Sequence, residues 1–235
     1  MKFVLIYLTS LWHKSAWSNN QTLSFLIKSE KKAKILDLGT YRPELIIERV
    51  KQIKNPEIYV VDIDKETIKL CKKAGLHSLQ RNLEKPLPFK DNFFDLITAN
   101  QIIEHLVNVD LFIEEIYRVL KPNGYLLIST ENLSSWHNIF ALLMGWQAFS
   151  QHISKKQGIG NPIRLQKDSH TENSIHIHIF TLKGLLELLE LNNFKIINTF
   201  GSGYYPLPTF FAKFFTKLDI CHSAFIGVKA QKIKQ

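Results

Sequence analysis

A doubly wound α/β fold is what this sequence predicts, and three observations predict it. Short apolar runs of strand character alternate with helical patterns five times between residues 34 and 129, the arrangement of a mostly parallel sheet with helices on both faces. Two further apolar runs near the end are joined by a connection too short for a crossover helix, which suits an antiparallel pair. Hydrophobic residues make up 45% and charged residues 22% of the 235 residues, and a chain of this size buries roughly 72% of its unfolded surface. One sizeable core is therefore available, in a mixed sheet of seven strands.

The elements follow in order. Residues 3–12 form an apolar run behind Lys2. The run is similar to the core of a secretory leader but lacks a clean small-x-small cleavage position. It is also far short of the roughly 18 to 20 apolar residues of a spanning helix. Residues 1–32 are read as an apolar extension with a helix that packs on the main domain, 33–235. Residues 34–38 (KILDL) read as the first strand. A helix over 43–53 follows, with Pro43 in its first turn, where a missing N–H has no intrahelical partner to lose. Residues 58–61 form the second strand, and Asp64 is placed to cap a helix through Lys73. Residues 76–80 are a weaker third strand and 94–99 a fourth. Asp110 can cap the next helix, whose Phe112, Ile116, Val119 and Leu120 share one face. The Pro122-Asn123-Gly124 turn ends it, and 125–129 is the fifth strand.

Beyond Thr130 the pattern loosens. Residues 136–149 are apolar and aromatic with helical potential, and 151–174 form a polar loop long enough for a substrate element. At 175–180 histidines alternate with isoleucines. On a strand, His176 and His178 would face away from the isoleucine side. Thr181 can cap a helix carrying Leu182, Leu185, Leu186 and Leu189, and 195–200 and 224–229 are the last strands. Segments 133–174 and 201–219 are expected to cap a substrate pocket.

Thirty Lys and Arg against 21 Asp and Glu give a net charge of +9, but residues 1–150 contribute only 19 − 16 = +3 and residues 151–235 contribute 11 − 5 = +6. An acidic solvating chain is excluded, and an anionic partner concerns the last third. Two cysteines, Cys71 and Cys221, exclude a disulfide framework and fit a reducing compartment, the cytoplasm.

In a doubly wound sheet, ligands bind beyond the carboxyl ends of the strands where strand order reverses. Here the first strand runs into Asp37-Leu38-Gly39-Thr40-Tyr41, the second ends in Asp62-Ile63-Asp64, Asn82-Leu83 follows the third, and the fourth ends in Asn100-Gln101. Gly39 lets the backbone turn tightly against a ligand, and an acid at the next strand's end suits the two hydroxyls of a ribose. Asp37 reads equally as a brace for the turn, and Asp64 reads better as a helix cap than as a ligand. A dinucleotide site wants G-x-G-x-x-G, but Tyr41 and Glu44 stand at its later glycine positions and oppose a pyrophosphate. A nucleoside cofactor without phosphate and with a positive centre fits better; S-adenosylmethionine is such a molecule.

Over residues 33–230 the chain resembles the class I S-adenosylmethionine-dependent methyltransferases. The resemblance is carried by KILDLGTYRPE (34–44), YVVDIDKETIKLCKKAG (59–75), NLEKPLPFKDNFFDLITANQIIEHL (82–106) and YRVLKPNGYLLISTEN (117–132). It implies a Rossmann-like seven-stranded sheet with its last strand antiparallel. It also implies that Asp37, Gly39, Thr40 and Tyr41 cradle the methionine part, Asp62 and Ile63 the ribose, and Asn82 and Leu83 the adenine, with Asn100 and Gln101 beside the sulfonium. Two departures stand out: Tyr41 replaces a second glycine, and Asn82 an acid.

Methyl transfer asks mainly for alignment, with a base where the acceptor is protonated. His176 resembles the histidine before the last helix of small-molecule members and is the candidate base. His105, in the EHL block, is a second candidate that reads equally as a structural histidine. No metal is expected, since two histidines two apart have no third ligand nearby in sequence. Phe210, Phe211, Phe214, Phe215 and Leu218 share a helical face, with Lys213 and Lys217 on another. That pattern reads as a substrate lid or, over 210–218, as peripheral membrane contact. The expected acceptor is a small or amphiphilic molecule such as a lipid, quinone precursor or glycan. Nucleic acid is disfavoured, because the fourth strand ends in TANQI and no cysteine stands by a strand end. The alternative is a non-catalytic binding protein of the same fold.

Overall fold

The computed structural model describes residues 2–27, 33–154, 156–163 and 175–233. Seven strands form one sheet in the order β3-β2-β1-β4-β5-β7-β6: β1 (Lys34–Leu38), β2 (Glu57–Asp62), β3 (His77–Gln80), β4 (Phe94–Asn100), β5 (Leu120–Glu131), β6 (Phe194–Ser202) and β7 (Phe225–Lys232). β7 runs antiparallel to both its neighbours, β5 and β6, and the remaining pairs are parallel. The order reverses between β1 and β4.

The sheet is doubly covered because its strands are apolar on both faces. One core gathers Leu36, Leu38, Ile97 and Ile128 with Phe112 and Ile116 of α4 (Val109–Val119) and Leu185 of α6 (Leu182–Leu191). The other gathers Ile35, Val60 and Leu127 with Ile46 of α2 (Pro43–Val50), Ile68 of α3 (Lys65–Lys73) and Leu23 of α1 (Lys2–Leu26). α5 (Trp136–Leu143) and α7 (Thr209–Leu218) complete the helices used below. No helix among the described residues is long and apolar enough to cross a membrane.

The caps show local chemistry choosing the boundaries. Asp64 accepts from Thr67 N at 2.8 Å and Thr181 from Gly184 N at 3.1 Å, as the sequence suggested. The start of α4 differs: Asn108 caps it through Leu111 N at 3.1 Å, and Asp110 lies inside the first turn, where a carboxylate meets the positive end of the helix. The Pro122-Asn123-Gly124 segment is the irregular start of β5, which pairs with Phe94 through Leu120 before the register shifts.

Two more expectations change. Residues 175–179 form no strand, and His176 is buried while Ile177 is half exposed. The cause is a main-chain clasp: the Glu104 carbonyl accepts from Ile177 N at 2.7 Å and from His178 N at 3.1 Å. The apolar stripe of α7, expected to pack on the sheet as a lid, faces outward, with Ala212 its buried residue and Phe210 81% exposed. Part of the 151–174 loop, 164–174, lies outside the described residues.

Candidate active site

At the reversal between β1 and β4 a cavity of about 450 Å³ opens beyond the strand ends. Its wall is built from Gly39, Thr40 and Tyr41 after β1, Asn100 and Gln101 at the end of β4, Glu131 at the end of β5, and Trp12, Trp17, Asn19 and Asn20 of α1. Parallel neighbours place their carboxyl ends on one edge, so the topology alone brings these three strand ends together.

The turn after β1 is held from beneath. Gly39 has φ +72°, and a Cβ there would lie 2.7 Å from Ile102 Cδ1, so only glycine fits. The Asp37 carboxylate accepts from Arg49 Nη1 at 2.8 Å, from Thr40 Oγ1 at 2.6 Å and from Thr98 Oγ1. Asp37 therefore braces the turn and stands behind the cavity wall. Tyr41 takes φ 56°, the conformation a second glycine would supply, and its ring is 68% exposed at the cavity mouth.

Next along the edge, the buried Asp62 accepts from Asp64 N at 2.8 Å and faces Tyr41 N at 3.4 Å. The Ile63 carbonyl accepts from Gln80 Nε2, and Asn82 Oδ1 accepts from Glu84 N beside the buried Leu83. These four residues continue the edge along β2 and β3 and are not part of the cavity wall itself.

The N-terminal helix joins the site through polar side chains that sequence reasoning did not single out. Asn19 Nδ2 donates to Asn100 Oδ1 at 2.9 Å and to Ser129 Oγ at 2.7 Å, and Asn20 Oδ1 accepts from Arg49 Nη2 at 2.8 Å. The paired asparagines at 19 and 20, in the polar run 18–22 that follows the apolar start of α1, were the available signal, since polar groups buried by a helix need partners.

On the other side of Glu131 lies a second group of side chains. The short turn Ile103–His105 follows β4, and the Glu104 clasp draws the 175–178 segment over it. His105 Nδ1 donates to the Ile175 carbonyl at 2.9 Å and His176 Nδ1 to the Ser150 carbonyl at 2.8 Å, the rings meeting edge to face at 4.9 Å. His178 is directed elsewhere, its Nε2 3.2 Å from the Val107 carbonyl. Glu104 accepts from Thr130 Oγ1 at 2.9 Å, and Glu131 Oε2 lies 3.7 Å from His176 Nδ1, buried without a hydrogen-bond partner. Burial pushes Glu104 up to about 8 and Glu131 up to about 7, and pushes His105 down to about 4. The two sequence-expected histidines are thus brought together, with two buried carboxyls beside them.

The wall tests which cofactor the cavity accepts. Arg49 is the one cation among its described lining residues, and Asp37 and Asn20 occupy it, so no group there is set to bind a pyrophosphate. Asn19 Oδ1 is buried without a partner, an acceptor suited to an ammonium group. Trp12 and Trp17 line the same wall. The donor set fits a phosphate-free nucleoside carrying positive charge.

Comparison with known proteins agrees with this geometry. Residues 36–128 match the family described as "Methyltransferase domain". The chain is 31% identical over 133 residues, 54% of this chain and 48% of the relative, to the ubiquinone/menaquinone biosynthesis C-methyltransferase UbiE of Vibrio vulnificus. It is 27% identical over 120 residues, 49% of this chain and 46% of the relative, to the ubiquinone biosynthesis O-methyltransferase of Rickettsia prowazekii. The chain spans about half the length of these curated relatives. In fold it is similar to an S-adenosylmethionine-dependent methyltransferase from Mesorhizobium loti, with a TM-score of 0.63, 15% identity, and coverage of 92% of this chain and 97% of the other. The motif blocks, the sheet order and the strand-end cavity agree: residues 36–128 are similar to the methyltransferase domain family, and the fold is that of the S-adenosylmethionine-dependent methyltransferases.

Proposed function

We propose that this chain transfers a methyl group from S-adenosylmethionine to a small or amphiphilic acceptor. The observation that carries the reading is the cavity at the strand-order reversal, with Gly39 at its tight turn, Asn100 and Gln101 opposite, and Arg49, the cation among its described lining residues, already paired. Bound there, the cofactor supplies a methyl carbon already activated by a sulfonium. Thr40 and Tyr41 hold the methionine part against Asn19, Asp62 and Ile63 hold the ribose, Asn82 and Leu83 flank the adenine, and Asn100 and Gln101 stand beside the transferred carbon.

Glu131 faces the acceptor side. Its unpartnered oxygen and its displacement to about 7 by burial suit a group that takes a proton near neutral pH. His176 stands 3.7 Å away with its Nδ1 proton held on the Ser150 carbonyl, and His105 meets its ring edge to face. The acceptor is amphiphilic in this reading because the neighbouring surface is. Phe210, Phe211 and Phe214 of α7, and Phe140 and Leu143 of α5, are all more than half exposed. Trp136 of α5 stacks on His222 at 4.5 Å, and Tyr204 stacks on Phe215 of α7 at 5.5 Å. Lys213 and Lys217 flank the α7 stripe, a combination that lies well on an anionic lipid surface. The names of the relatives from Vibrio vulnificus and Rickettsia prowazekii support a quinone precursor as the acceptor.

Mass spectrometry of protein purified without added ligand should find S-adenosylmethionine or its demethylated product, and calorimetry should give one cofactor site per chain. No cofactor binding at millimolar ligand overturns the reading and leaves a binding protein of methyltransferase fold. Methyl incorporation into a quinone precursor presented in anionic vesicles, against detergent-free buffer, tests the acceptor.

A further inference from the structure

We propose that Glu104, His105 and His176 form a binding site for a divalent transition-metal cation, set against Glu131 at the acceptor side of the cavity. One ligand atom from each of the three lies within 4.8 Å of the others, and Glu104 and His176 are buried. Ligands 2.0–2.1 Å from a common ion in tetrahedral geometry lie about 3.4 Å apart, so closing the trio takes shifts of up to about 0.7 Å per side chain.

The surroundings are those of a built site. Each imidazole gives its Nδ1 proton to a main-chain carbonyl, Ile175 for His105 and Ser150 for His176. This fixes the tautomer in which Nε2 carries the lone pair, the usual support behind a metal-binding histidine. Thr130 Oγ1 donates to one oxygen of Glu104 at 2.9 Å and so orients its carboxylate. The histidine main chain is fixed as well: His176 N donates to His152 Nδ1 at 3.2 Å, and the next two amides bond the Glu104 carbonyl. First-turn and distant-segment ligands are thereby locked to each other. Two carboxyls, Glu104 and Glu131, are buried within one neighbourhood. Buried carboxylates are ordinarily neutralised, paired or bound to metal, and a divalent ion supplies positive charge to both. Two imidazoles and one carboxylate select a first-row ion such as Zn²⁺, Mn²⁺, Fe²⁺ or Co²⁺ over Mg²⁺ or Ca²⁺.

Within the proposed methyltransferase reading, on which this consequence rests, such an ion would suit an acceptor with a hydroxyl oxygen. The ion would supply a Lewis acid toward the acceptor hydroxyl, whose oxygen would form the new C–O bond. The S–C bond of the donor breaks with its electron pair going to sulfur, and the hydroxyl proton goes to Glu131.

The test uses the untagged chain, stripped with chelator, desalted and titrated with Co²⁺ and Zn²⁺. The expected result is one ion per chain by calorimetry, with a visible Co²⁺ absorption band and two exchangeable, paramagnetically shifted proton resonances from the Nδ1–H groups. Glu104→Gln and His176→Gln should each weaken binding by at least about 100-fold, with near-ultraviolet dichroism confirming the fold. The resonances on wild-type protein decide the matter if both variants unfold. Absence of uptake by the wild type, or unchanged affinity in both folded variants, overturns the site. Cofactor calorimetry in chelator runs alongside: cofactor binding without cation uptake removes this inference alone, whereas cation uptake without cofactor binding removes the methyltransferase reading alone.

Discussion

The Arg49 guanidinium meets the Asp37 carboxylate at 2.8 Å, with both side chains all but sealed from solvent. The pair lies under the turn that shapes the cavity. Breaking such a pair leaves one buried charge uncompensated, so Arg49→Met should destabilise the fold by about 3–5 kcal/mol in urea denaturation. Arg49→Met combined with Asp37→Leu should recover part of that loss. Equal stability of the single variant and wild type would show that the pair is not sealed.

Asn19 ties α1 to the end of β4 through two buried hydrogen bonds. Asn19→Ala should cost about 1–3 kcal/mol of stability and weaken S-adenosylmethionine binding roughly 5- to 30-fold, read by chemical denaturation and calorimetry. The control is Thr22→Ala on the same helix, whose hydroxyl bonds the Ser18 carbonyl one turn back. That change should leave cofactor affinity where it is.

In the proposed cofactor site Asp62 is the buried acceptor for the ribose hydroxyls, so Asp62→Ala should weaken cofactor binding by about 1–3 kcal/mol. Its neighbour Asp64 separates the roles: Asp64→Ala removes a helix cap and should cost about 1 kcal/mol of stability while cofactor affinity stays within about twofold.

Stability should fall as pH rises from 6.5 to 8 in chelator. Glu104 and Glu131 have folded pKa values near 8 and 7, above the ordinary 4.5. The folded state therefore binds more protons than the unfolded one between those limits and loses stability with rising pH. His105, near 4, and His137, near 3, are lowered from 6.5 by burial, so their opposite effect is largely complete once pH passes 6.5. Scanning calorimetry should show the melting temperature dropping across this window, and Glu104→Gln with Glu131→Gln should flatten it.

Much of this was legible in the sequence because it is local. Strand runs, the Asp64 and Thr181 caps and the turn at Gly39 depend on neighbours within a few residues, and the motif blocks implied a seven-stranded sheet with its last strand antiparallel. The constellation around Glu131 was not legible, because it is assembled by long-range contacts: a main-chain clasp from Glu104 to residues 177 and 178 places His176. Taken by itself, the Ile-His alternation there has the period of a strand, and the clasp overrides it. The outward stripe of α7 has the same cause, since periodicity marks an apolar face without saying what covers it.

α1 reaches across the fold to the last strands. Ser202 Oγ donates to the Ser15 carbonyl at 3.2 Å, and Lys229 Nζ donates to the Leu26 carbonyl at 2.7 Å. Gly203, at φ +71°, allows this approach, since a Cβ there would lie 2.4 Å from Ser15 Cβ. During synthesis, α1 therefore waits for strands made long after it, and β7 must enter between β5 and β6 before its docking surface exists. Contacts of this sequence separation form late. The cavity wall is completed only when β7 has left the ribosome, and a nascent chain holds no finished cofactor pocket before then.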